Sequence, residues 1–186
     1  MPEPEVLTSK DFGVPQNRQR IFIIGFRLDN TNGHFEYPRS LKKITRLGDI
    51  LESHYEKKYV ISDRIWKSHQ RRKKRNKELG KGFGYGLFDK NSEYANTISA
   101  RYYKDGAEVL ISRGEDKTPR RLLPRECARL QGFPESFKIT VSDMQAYKQF
   151  GNSVSVPVIK HICINMIKFA YEEQGLETKQ LHFKIV

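Results

Sequence analysis

The 186-residue sequence predicts an α/β fold built from three unlike parts. An apolar run near the start reads as a buried strand, a basic and glycine-rich middle contains further strands, and the last third carries three capped helices. A lone first strand cannot build a sheet. The chain therefore reads as the closing part of something larger.

Residues 19 to 26, QRIFIIGF, carry the strand signal. Gln16, Arg18 and Arg20 share one parity, so on an extended chain they point the same way. Two guanidinium forks on one side suit a carboxylate, a phosphate or a base carbonyl; without further context, the pair reads as surface arginines at the mouth of a strand. Residues 27 to 40 are loop-rich, with Asp29-Asn30 and Asn32-Gly33 as turn signals. Residues 41 to 56 read as a short helix containing Leu47, Ile50 and Leu51. Residues 62 to 79 read as a longer one with Ser62 at its N-cap.

Gly80, Gly82, Gly84 and Gly86 then alternate through a stretch holding Phe83, Tyr85 and Leu87. That spacing fits a bent strand, or a backbone that approaches something closely. Residues 95 to 103 and 107 to 112 read as two strands joined by a turn at Lys104-Asp105-Gly106. Pro124 opens a helix that Gly132 closes. Ser142 and Gln145 form a capping-box pattern for a second, closed by Gly151. Ser155 and Pro157 open a third, with Val158, Ile159, Ile162, Cys163, Met166 and Ile167 on its apolar side. Beyond Tyr171 the tail is polar and expected to fray, with an edge strand possible in sequence terms from Leu181 to Val186.

Charge narrows the partners. The chain carries 34 Lys and Arg against 22 Asp and Glu, a net of +12, and the excess is concentrated. From Lys57 to Lys81 eleven basic residues face Asp63 and Glu78, a net of +9 around the run Arg71-Arg72-Lys73-Lys74-Arg75. A single run of this kind is usually a solvated helix face. Tyr59, Trp66, His69 and Tyr85 lie in or near it, and aromatics beside cations suit nucleic-acid phosphates and bases. The apolar runs are short and predict no bilayer span. The opening MPEPEVLTSKDF has no secretion pattern. Cys127 and Cys163 make no disulfide framework and have no CxxC partner, so the chain supplies no zinc site and fits a reducing cytoplasm. Cys127, flanked by Arg125 and Arg129, reads first as a small buried side chain on an amphipathic helix. A nucleophilic role would need a lowered thiol pKa. The turn at Gly151-Asn152-Ser153 can present amides to a ligand, or merely join two helices.

In their order and spacing, DFGVPQNRQRIFIIGF, PRECARLQGFPESF and QAYKQFGNSV closely resemble motifs VIII, IX and X of DNA cytosine-5 methyltransferases. The resemblance covers about the first 28 residues and Pro119 to Phe169. It implies a terminal strand and helices that complete a Rossmann-like, S-adenosyl-L-methionine (AdoMet)-dependent sheet, with a small mixed β-rich recognition domain inserted. The implied division is 1–28 for motif VIII, 29–118 for target recognition and 119–186 for motifs IX and X. GKGFGYGLF and NTISARYYKDGAEVLI look like methylases that read CCNGG- or CCWGG-type sites. The chain has no Pro-Cys dipeptide and no Glu-Asn-Val, the family's nucleophile and glutamate motifs, and no AdoMet glycine loop. Cys127 stands at a motif IX position, which is not the nucleophile.

By this likeness the enzyme flips cytosine out of double-stranded DNA, adds a cysteine thiolate to carbon 6, takes a methyl group onto carbon 5 from AdoMet, and then loses the carbon-5 proton. Arg20 would contact the flipped cytosine, with Gln16 and Arg18 bracing the strand end. Asn152, Ser153 and Val154 would form one wall of the AdoMet pocket, too little to bind it well alone. Lys73, Lys74 and Arg75 would meet phosphates. Lys81, Tyr85, Thr97, Arg101, Tyr102, Tyr103 and Lys104 would approach the bases, Arg101 being suited to a guanine. Thr97-Ile98 stands where the family has Thr-Leu. Arg125, Glu126 and Arg129 would organise the recognition domain. Two roles fit: a bacterial, cytoplasmic restriction-modification chain that works with a large subunit or by self-association, or a truncated, inactive remnant that only binds DNA.

Overall fold

The computed structural model describes residues 2–27, 34–43 and 45–173. The Asp29-Asn30 and Asn32-Gly33 turns and the 181–186 strand lie outside the described residues. β1 (Glu5–Thr8) and β3 (Gln19–Phe22) form an antiparallel ribbon with Val6 opposite Ile21. Between them lie a 3-10 turn, Ser9–Phe12, and the two-residue β2 (Gln16–Asn17). The apolar run is thus a shorter strand than its sequence suggests, and only one face is buried. Leu7 and Ile24 turn inward beside Phe22, whereas Val6, Ile21 and Ile23 are 58%, 63% and 66% exposed. Period-two alternation explains the split: positions 21 and 23 share one face and 22 and 24 the other.

The first expected helix, 41 to 56, is not there. Leu47–Ile50 makes a single 3-10 turn. Its backbone is taken by another segment, since Leu47 N–H donates to Ser92 O (2.9 Å) and Gly48 N–H to Lys90 O (3.0 Å). A Cβ on Gly48 would lie 2.6 Å from Lys90 O, so the close approach requires glycine. The next helix does form: α1 runs Asp63–Glu78, and Ser62 Oγ accepts from Ile65 N–H as an N-cap should.

The expected hairpin is replaced by three separate pieces. β4 (Leu87–Phe88) pairs in parallel with β6 (Leu110–Ile111), which pairs antiparallel with β7 (Arg120–Arg121). β5 (Ala95–Asn96) leaves that sheet and pairs in parallel with β2. Residues 102–105 are helical, α2 (Tyr102–Asp105), ended by Gly106 at φ 64°.

The closing helices follow their caps. α3 (Pro124–Leu130) starts at its proline and is followed by Gly132 at φ 78°. α4 (Asp143–Asn152) begins at Ser142, whose Oγ accepts from Gln145 N–H. α5 (Val156–Glu173) follows a break at 153–155. By length and composition the stretch Asp143–Tyr171, whose most apolar 18-residue window has a mean hydropathy of 1.2, could cross a membrane, where the sequence reading expected no span. It is nonetheless two helices, and α5 lays Val158, Ile162 and Phe169 against Leu7, Phe12, Ile24 and Phe35.

The described residues form two cores. The larger joins Leu47 and Ile50 to Ile98, Tyr102, Val109, Leu122, Cys127, Leu130, Tyr147 and Phe150. It therefore draws on both sides of residue 118, where the sequence places a division. The smaller core is the inner face of β1 and β3 under α5.

Candidate nucleic-acid interface and closing motifs

Gln16 and Arg18 enter the interior and act as cross-braces. Gln16 is fully buried; its Nε2 donates to Leu130 O (3.0 Å) and Gln131 Oε1 (3.2 Å), and its Oε1 accepts from Ile98 N–H (3.3 Å). One amide thus joins the N-terminal segment to the middle of the chain and to α3. Arg18 donates to Ile98 O (3.3 Å), Gly151 O (3.4 Å) and Ser153 O (2.8 Å). Burial, and then the neighbouring Arg20 charge, push the Arg18 guanidinium down to about 10, so it stays charged at neutral pH. The shared parity of positions 16, 18 and 20 does not give a shared environment: Arg20 is exposed and donates to Gln19 O (2.6 Å).

Arg18 and Arg20 nevertheless line one hollow of about 190 Å³, with Ser9, Asn152, Val154 and Ser155 on its other sides. Sequence ends 130 residues apart meet there, because Arg18 holds the carbonyls of Gly151 and Ser153. Arg18 Nε and Ser155 Oγ are buried without a partner among the described residues. Ser153 Oγ, by contrast, is spent on Phe150 O (2.8 Å). Asn152 is exposed and Val154 is 50% exposed. The hollow is smaller than the roughly 300 Å³ and upward that enclose a ligand of AdoMet's size. Asn152 and Val154 line this hollow and Ser153 does not.

The basic and glycine-rich residues lie on a second surface, around α1. Lys73, Lys74, Arg75 and Lys81 are exposed on α1 and just after it. Lys73 Nζ lies 4.3 Å from the Tyr85 ring centre, and Tyr85 packs edge-on against Trp66 at 4.8 Å. Of the four alternating glycines, Gly80 and Gly82 face open space, whereas Gly84 and Gly86 are required by close approaches. A Cβ on Gly84 would lie 2.5 Å from Lys73 Cβ, and one on Gly86 would lie 2.5 Å from Glu108 O. The backbone does approach something closely, namely α1 and the segment before β6.

Arg101 and Lys104 are exposed at the ends of α2. Tyr102 is a correction: it is fully buried, donates to Val109 O (2.6 Å) and accepts from Leu122 N–H (2.8 Å). Burial raises its hydroxyl pKa well above the ordinary value. It holds the core and presents nothing to a ligand. Tyr103 is half-buried against the same core, with Lys148 Nζ 5.1 Å from its ring centre. Thr97 is half-buried and donates to Asn17 O (3.0 Å), so its hydroxyl fastens the middle of the chain to β2.

α3 supplies the mortar. Arg120 and Glu126 form a buried bidentate pair at 2.7 and 2.8 Å, and Glu126 also accepts from Glu52 N–H (2.7 Å) and Leu123 N–H (2.8 Å). Arg129 pairs with Glu135 and Glu52, both at 2.7 Å, and donates to Ile50 O (3.1 Å). Arg125 donates to Phe137 O (2.7 Å). Arg120 is the member that the sequence reading missed; an arginine six residues before a buried glutamate was its available signal. Cys127 is fully buried, and burial raises its thiol pKa well above the ordinary value, the opposite of an activated nucleophile.

A strand end and a helix turn thus close on each other beside a basic surface. The profile of C-5 cytosine-specific DNA methylases matches residues 2–168, and the chain belongs to that family. It is 58% identical over 164 residues to the type II methyltransferase M.SsoII of Shigella sonnei, covering 87% of this chain and 43% of that protein. It is 50% identical over 183 residues to M.DsaV of Dactylococcopsis salina, covering 98% and 51%. The chain thus spans about half the length of these curated relatives. Among solved structures it shares the fold of the Entamoeba histolytica methyltransferase EhMeth, with TM-score 0.66 and 19% identity over 92% of this chain and 53% of that one. The S. pombe Dnmt2 methyltransferase gives TM-score 0.64 and 18% identity over 93% and 57%.

Proposed function

We propose that this chain is the target-reading and closing portion of a DNA cytosine-5 methyltransferase, which methylates cytosine only when a second polypeptide supplies the missing catalytic segments. The observation that carries this reading is the bare outer face of the β1–β3 ribbon. Val6 and Ile21 on this two-stranded sheet, and Ile23 just beyond it, stand 58–66% exposed, opposite the face that carries the buried Leu7 and the half-buried Phe22. An isolated two-stranded ribbon with one apolar face in water is incomplete. Covering each of these part-exposed side chains contributes about 1–2 kcal/mol.

In the assembled enzyme Arg20, on the open side of the hollow, meets the flipped cytosine. Arg18 positions the hollow by holding β2 against the 151–153 turn. AdoMet, when bound, supplies the methyl group; Asn152, Ser153 and Val154 close one side of its pocket. The attacking thiolate comes from the partner, since Cys127 is sealed in the larger core. Lys73, Lys74 and Arg75 hold phosphates of double-stranded DNA, and Lys81 and Tyr85 with Arg101 and Lys104 face base edges of a CCNGG-type site. The setting is a bacterial restriction-modification system in the cytoplasm. The competing reading is a truncated remnant that binds DNA without catalysis.

Mixing the chain with a polypeptide that carries the Pro-Cys and Glu-Asn-Val motifs, tritiated AdoMet and a panel of duplexes tests the proposal. Methyl transfer that needs both chains is expected. Site-selective binding with no transfer under any mixture would leave the remnant reading in its place.

A further inference from the structure

We infer that Arg72, in the middle of the basic run, is a positioning residue for sequence discrimination rather than a phosphate contact. Its side chain points inward, away from its neighbours' task. Nη2 donates to Gly84 O (3.0 Å) and to His69 Nδ1 (3.0 Å), and Nη1 donates to Asp105 Oδ2 (3.3 Å). Because an arginine can only donate, His69 Nδ1 must accept, so Nε2 carries the proton and donates to Asp105 O (3.2 Å). One guanidinium and one fixed imidazole tautomer therefore tie three elements together: α1, the glycine-rich segment and the end of α2.

The tie matters because α1 has little else to hold it. His69 is the buried residue of this 16-residue helix, and no residue of α1 enters either core cluster. Its docking stripe is polar and aromatic: Trp66 and His69 on Tyr85, Arg72 as described, and Asn76 Nδ2 donating to Gly82 O (3.1 Å) and Phe83 O (2.9 Å). The segments it grips are those that carry the proposed base-facing residues, Lys81 and Tyr85 on one side and Arg101 and Lys104 on the other. Arginine's planar fork, not its charge alone, fits a carbonyl, a ring nitrogen and a carboxylate at once. Lysine would keep the charge and lose that fork.

The inference rests on the DNA-reading role proposed above. The test is selection from a randomised duplex library by the full 186-residue chain, followed by titration of the selected and a scrambled duplex across salt concentrations. Arg72→Lys and Arg72→Gln are expected to lower the ratio of selected to scrambled affinity about tenfold, the scale of one mismatched base pair, with the salt slope unchanged. Lys74→Gln is expected to do the reverse, flattening the slope by about 0.9 and sparing the ratio. A native ratio in Arg72→Lys, or a flattened slope with losses equal on both duplexes, overturns the proposal. If either variant loses its cooperative melt, Asp105→Asn replaces it: that change removes the ion pair and leaves Gly84 held. A roughly threefold loss of the ratio is expected there, and a native ratio is again contradictory. If the native chain selects no sequence at all, the DNA-reading role itself falls, and this inference with it.

Discussion

The two cores of this chain differ in how finished they are. The larger one is closed on all sides: Leu47, Ile98, Tyr102, Leu122 and Leu130 are fully buried, and the polar groups within it, Gln16, Gln131, Arg120 and Glu126, hydrogen-bond to one another or to backbone. The smaller one is half a sandwich. α5 covers the inner face of β1 and β3, and nothing among the described residues covers Val6, Ile21 and Ile23. The chain therefore holds a closed core beside an open sheet face, and Arg18, Arg20 and Asn152 line a hollow at that ribbon.

The sharpest way to break the contrast is at the sealed pair. Glu126→Ala strands a buried guanidinium and should cost about 3–5 kcal/mol in urea unfolding. A loss under about 1 kcal/mol would mean that the larger core is not organised around it. The open face should behave oppositely. Ile21→Asp is expected to leave the chain's own stability within about 0.5 kcal/mol, as for an exposed site. The same change should weaken assembly with the catalytic half on the order of 100-fold, since it places an unpaired charge in the new interface. Assembly indifferent to Ile21→Asp would remove the face from the account.

At the meeting of the two regions, Arg20→Ala in the reassembled enzyme should lower the chemical rate about 100-fold, the usual cost of one preorganised donor, with DNA affinity little changed. Single-turnover methylation separates these, and unaltered turnover would free Arg20 of its role. The smallest effect belongs to the outer helix face. Neutralising Lys73, Lys74 and Arg75 together should weaken all duplexes alike and lower the salt slope by about 0.9 for each phosphate lost.

What could be read from the sequence was whatever depends on near neighbours. Ser62, Ser142, Pro124 and Gly132 announced helix ends because caps act within one turn. What could not be read was backbone claimed from a distance. Residues 95–103 look like a strand, yet Arg18 takes the Ile98 carbonyl, Gln16 takes its N–H, and Tyr102 is pulled into the core by Val109 and Leu122. Residues 41–56 look helical, yet their N–H groups go to Lys90 and Ser92. The site divides in the same way. Arg18 and Asn152 were found through family resemblance, but that Arg18 would hold the 151–153 turn rests on contacts more than 130 residues apart, which no local pattern records. Tyr102 was misread for the same reason, its aromatic-rich context suggesting a surface that the fold turns inward.

Amide hydrogen exchange at residues 19–24, with and without a polypeptide bearing the Pro-Cys and Glu-Asn-Val motifs, tests the central claim most directly. The open ribbon should exchange readily in the chain alone and become at least 100-fold protected on mixing, in step with the appearance of methyl transfer. Full protection of these amides in the unmixed chain, or methylation of a duplex without the second polypeptide, would contradict it.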